Sequence, residues 1–131
     1  MGLRDRFRRK KEDEKGIKEQ MTELQQLCGD DKETYEGLVN TMFLNPSKID
    51  TTMEDAAENA KKSEKAKDLV KARTQYEVAG GLALYKGDVD KVVEYYSQCQ
   101  RISPDKEYQI LKNPEKAVAI AQEYYKNHPK A

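Results

Sequence analysis

The chain has no tryptophan, one histidine, two cysteines and four prolines among its 131 residues, and no excess charge of either sign. Each shortage excludes something. Cys28 and Cys99 stand far apart and outside any CxxC pair, and His128 has no companion histidine, so no metal-ligand set is spelled out. Two buried or half-buried thiols in a reducing compartment are the plain reading. No run approaches the ~18 apolar residues of a membrane span. No apolar segment follows the basic start, and Arg6 stands where a myristoylation site after Met1-Gly2 wants Ser or Thr. A cytoplasmic protein is expected. The sequence also lacks a phosphate-cradling P-loop, an HExxH and a GxGxxG, so no enzyme class or cofactor is indicated. Its many carboxylates sit in charge-rich helical stretches, where a solvated face explains them.

What is present is charge. Charged residues and hydrophobic residues each make up 37 % of the chain, and mean hydropathy is −1.01. The 24 Lys+Arg and 24 Asp+Glu are segregated: residues 1–11 carry +5, residues 12–60 carry −9 and residues 61–131 carry +4. That balance argues against a protein that binds nucleic acid over its whole surface. One domain is expected, with a core burying roughly two-thirds of the unfolded surface.

Composition and periodicity predict an all-α fold of five or six helices. Residues 1–14 form a charged leader, and residues 15–129 a single helical domain. A front hairpin spans 15–44. Its first helix carries Ile17, Met21, Leu24, Leu27 and Cys28 at spacings of three and four and ends at Gly29. Its second begins at an aspartate cap, Asp30 or Asp31, carries Tyr35, Leu38, Val39, Met42 and Phe43, and breaks at Asn45-Pro46. Thr51 to Glu54 reads as a capping box opening a helical pattern over about 52–86. Its Ala-rich first half is expected to pack thinly, and its second half is more apolar from Leu69 and Val70 onwards. Whether this is one helix or two with a bend near Ser63 stays open. Gly87 and Asp88 end it and cap the next helix, with Val89, Val92, Val93, Tyr96, Cys99 and Ile102 inward. Pro104 and Pro114 each open a further helix, over 104–111 and 114–127. The last carries Ala117, Val118, Ala121, Tyr124 and Tyr125 and acts as a cap.

Residues 73–106 resemble a tetratricopeptide (TPR) repeat, a helix–turn–helix unit of about 34 residues. Tyr76 stands at the family's large apolar position, Ala79-Gly80 at its Leu-Gly pair and Gly87 at its turn glycine. Tyr96 stands at the aromatic position, Cys99 at a small position and Pro104 at the closing proline. Ala83 and Val92 depart from the pattern. The resemblance covers about a quarter of the chain, and no second copy follows, because Pro114 falls where a repeat would have its glycine. A lone repeat does not bury its own face. It is expected to pack on flanking helices or on a second copy of the chain, as a homodimer.

The resemblance implies a non-catalytic protein–protein interaction module or assembly adaptor that receives another protein or peptide. Its groove positions are Thr74, Glu77, Gly81, Leu84 and Tyr85, with Leu84 and Tyr85 as an apolar shelf. The plainer alternative is that the front hairpin covers those two. Glu77 and Gly81 replace the Lys and Asn of the basic clamp some TPR domains use, so acidic carboxyl-terminal tails are not expected ligands.

The leader supports a second reading. Leu3 and Phe7 are one helical turn apart among Arg4, Arg6, Arg8, Arg9, Lys10 and Lys11, a pattern suited to weak contact with an anionic membrane surface. Nucleic acid is not expected, for want of a recognition element. The bland alternative is a solubilising tail held against the acidic segment 12–60.

Overall fold

Glycine and aspartate punctuate this chain, and the computed structural model describes the result for residues 18–41 and 49–127. Residues 18–28 form helix α1, which Gly29 ends with φ +60°. Asp31 caps α2 (Lys32–Val39), its carboxylate accepting from the Thr34 amide at 3.0 Å. The helix stops at Asn40, earlier than the pattern to residue 44 suggests. Met42, Phe43 and Asn45-Pro46 lie outside the described residues, as do the whole leader, Ile17 and His128.

α3 (Met53–Lys65) opens at Thr52, whose hydroxyl accepts from the Asp55 amide at 3.0 Å. The cap therefore falls one residue later than the expected Thr51–Glu54 box. The stretch 52–86 is two helices, and the break lies at residues 66–68 rather than at Ser63. Lys67 adopts φ +63°; its amide donates to Glu64 O and the Asp68 amide to Ser63 O, at 3.0 and 2.9 Å. These bonds satisfy the last carbonyls of α3. Asp68 then caps α4 (Leu69–Lys86) through the Lys71 amide at 3.1 Å. Gly87 (φ +76°) and Asp88 repeat the arrangement at the far end of α4, where Asp88 caps α5 (Val89–Ile102) through the Lys91 amide, also at 3.1 Å.

α4 is the centre of the fold. Its residues 79–84 are all buried, which a helix achieves only when neighbours cover every side. α3 lies on one flank and α5 on another, both antiparallel to α4 by virtue of the tight turns. The α3–α4 contact is extensive, against the expectation of thin packing. Ala56, Ala57, Ala60 and Ser63 bring only small side chains to the seam, so the two backbones approach closely. Three apolar assignments change sides. Leu69 and Val70 are exposed, and on α5 Val93 faces out while Tyr95 is buried.

The expected helix over 104–111 is instead a turn at residues 104–106 followed by a short 3-10 helix, Gln109–Lys112. The Gln100 side chain explains it. Its amide donates to the carbonyls of Ser103, Pro104 and Lys106, and its oxygen accepts from the Tyr108 amide at 3.1 Å, replacing the bonds a helix would make. α6 (Pro114–Asn127) packs on α4 and α5 and buries the five residues its pattern indicates. The front hairpin closes over α6 and the 3-10 helix: Gly37 lies against the Ile110 backbone, and Asp31 pairs with Lys116 at 2.5 Å. Among the described residues, all regular structure is helical.

Candidate interaction surface

α3 and α5 run in the same direction on either side of α4, and a groove opens between them. From α3 it is lined by Glu54, Ala57, Glu58 and Lys61, and from α5 by Lys91, Glu94, Tyr95 and Gln98. Both sets follow the spacing of one helical face, so the two helices present matching stripes to the same space. Tyr76 of α4 lies on the floor, stacked on Tyr95 with ring centroids 6.5 Å apart. The cavity measures about 270 Å³. Burial raises the pKa of both phenols above the ordinary tyrosine value.

The rim carries both signs of charge. Lys91 Nζ donates to Glu94 at 2.8 Å and stands 5.8 Å from the Tyr95 ring centroid. The Glu94 hydrogen bond raises the Lys91 pKa, which keeps the ammonium charged. One turn past Lys61 and Gln98, Glu64 and Arg101 join α3 to α5 across the end of the groove. Their paired contacts are 2.7 and 2.8 Å, the side-by-side geometry that suits a guanidinium and a carboxylate. The Arg101 hydrogen bond lowers the Glu64 pKa.

The α4 face that the TPR resemblance singles out is largely occupied. Only Thr74 is exposed, and its hydroxyl donates to Val70 O. Leu84 is fully buried and Gly81 is buried, so neither belongs to an open shelf. Tyr85 is half-buried with its ring edge-on to Tyr125, 4.7 Å between centroids. Gln122 donates to the carbonyls of Leu84 and Tyr85 at 2.9 and 2.8 Å. α6 therefore does the covering that the sequence reading gave to the front hairpin.

Glu77 is held from three sides. It accepts from the Tyr108 hydroxyl at 2.5 Å and from Lys106 at 3.2 Å, and Arg73 Nε lies 3.8 Å away. This network ties the segment after α5 to α4, and its carboxylate is a structural anchor within the described chain. Cys99 lies beside it, with its thiol 3.7 Å from Arg73 O and its pKa pushed up to about 12 by burial. Burial also raises the Cys28 pKa, chiefly for the same reason. These are inert thiols.

No family model, curated protein or solved structure matches this chain. Among the described residues, no group of three His, Cys, Asp or Glu side chains is arranged to hold a metal ion, and no helix is long and apolar enough to cross a membrane.

The groove residues escaped the sequence reading because their stripes mix Glu, Lys, Ala and Tyr, which looks like an ordinary solvated face. The usable signal was the identical spacing of 54, 57, 58, 61 and 91, 94, 95, 98. It becomes visible only once 52–86 is divided at Lys67.

Proposed function

We propose that this chain is a non-catalytic interaction module of the cytoplasm, built on a TPR-like α4–α5 hairpin, and that a helical segment of a partner protein lies between α3 and α5. The observation that carries this is the pair of matching stripes on α3 and α5 across the Tyr76–Tyr95 floor. A groove between two parallel helices suits a third helix, read through one apolar anchor and flanking charges. Glu54 and Glu58 precede Lys61 along α3, and Lys91 precedes Glu94 along α5, so the fitting segment carries charges of both signs beside its apolar anchor. The predicted positions on α4 other than Thr74 serve the fold in this reading, and the partner surface moves to the neighbouring helices.

The test is site-specific photo-crosslinking. A crosslinker at Gln98 is expected to capture a protein that one at Glu123 of α6 does not. The capture should disappear in Glu58→Lys/Glu94→Lys, whose exposed side chains leave the fold intact. Equal capture from both positions, or capture unaffected by the charge reversals, would sink the groove as a binding site.

A further inference from the structure

The turn between α3 and α4 is the longest unbroken exposed run among the described residues: every position from 65 to 71 is exposed. It also holds the two most exposed large hydrophobic side chains described, Leu69 at 50 % and Val70 at 69 %. Around them stand Lys62, Lys65, Lys67 and Lys71, none of which forms an ion pair among the described residues. The acids nearby are engaged: Glu64 is clasped by Arg101, and the Asp68 carboxylate caps α4. Four lysines without a described ion pair thus flank an apolar pair in one exposed turn.

Lys67 adds an independent observation. The turn at residues 66–68 repeats the turn at residues 86–88, with the same amide-to-carbonyl bonds and the same aspartate cap. There, and at Gly29, the left-handed position is glycine. At φ +63° a lysine bears the steric strain of an L-residue in that region. The backbone favours glycine at this point, so the lysine side chain contributes nothing to the turn itself.

The geometry points to a docking tip for an anionic lipid surface, with Leu69 and Val70 entering the headgroup boundary and Lys62, Lys65, Lys67 and Lys71 against the lipid phosphates. A fluid bilayer conforms to an exposed turn, whereas a folded partner would need a matching pocket. Phosphates alone, as in nucleic acid, leave the apolar pair without a role. Contact of this kind is transient and salt-sensitive, because a few cations and two apolar side chains do not anchor a protein. It is independent of the groove between α3 and α5 and of the leader.

Co-sedimentation of the full chain with phosphatidylcholine vesicles, with and without phosphatidylserine, tests it. The chain is expected to partition onto anionic vesicles, less at high salt, and to ignore neutral ones. Lys67→Gly should weaken partitioning about fivefold, the equivalent of one cation near the surface, while its melting temperature equals or exceeds the parent's. Leu69→Ser/Val70→Ser should weaken it at least about tenfold with an unchanged melting curve. Equal partitioning of parent and variants would assign any vesicle binding to another part of the chain and overturn the tip. So would no binding by the parent, or equal binding to neutral vesicles. If the serine variants abolish self-association in sedimentation velocity and leave vesicle binding intact, the tip is a protein interface and the lipid proposal fails.

Discussion

Gly80 lies so close under the ring of Tyr96 that a Cβ at Gly80 would stand 2.7 Å from Cε2 and 2.8 Å from Cζ. Tyr96 is fully buried and lies 5.8 Å from the Tyr108 ring, so it has little room to retreat. The contact fixes how closely α5 approaches α4. Gly80→Ala gains about 1 kcal/mol of helix propensity, but the overpacking costs about 1–3 kcal/mol, and the net effect is destabilising. Urea unfolding should show it, and the penalty should shrink in a Tyr96→Leu background because the clashing ring is gone. An equal penalty in both backgrounds would place the strain elsewhere.

That pair was legible in the sequence, and the reason is local. Gly80, Gly87 and Tyr96 each solve a problem that lies within one hairpin: close approach, reversal and filling. Asp31, Gly29 and Asp88 were legible in the same way, since a cap needs only its own neighbours. The break at Lys67 was not, because lysine in a left-handed conformation carries no sequence signal, although Lys67-Asp68 and Gly87-Asp88 perform the same task. The burial of Leu84 was also out of reach. It depends on α6 returning across α4, a contact between segments about ten helical turns apart in the chain.

Glu77 and Tyr108 illustrate the same limit, because their 2.5 Å hydrogen bond joins α4 to a segment that the sequence reads as helix. Tyr108→Phe removes one donor from a half-buried carboxylate and should cost about 1–2 kcal/mol. The loss should be local. Hydrogen exchange is expected to quicken across residues 103–112 while α3 and the α4 core keep their protection. Uniform loss of protection throughout the domain would show that the network supports the whole fold rather than this segment.

Cys99 offers a reporter on the same region. It is fully buried with a pKa near 12, so at pH 8 almost none is thiolate and no reagent reaches it in the closed state. Labelling with a thiol reagent, followed by mass spectrometry, should proceed only through opening and should accelerate in Tyr108→Phe. Rapid labelling of Cys99 in the parent protein would contradict its burial.

Asp31 and Lys116 join the front hairpin to α6, and their pairing makes the closure of the fold depend on acid. The Lys116 hydrogen bond, followed by those from Thr34, lowers the Asp31 pKa to about 2. Because the folded value lies below the unfolded value near 3.9, the contribution is complete above about pH 5 and is lost as pH falls through about 2. The urea midpoint should therefore drop across that window. Lys116→Met should flatten the part of the drop that belongs to this pair, leaving the cap on Thr34 in place. A midpoint profile identical in parent and Lys116→Met would mean that the ion pair contributes nothing to holding the hairpin on α6.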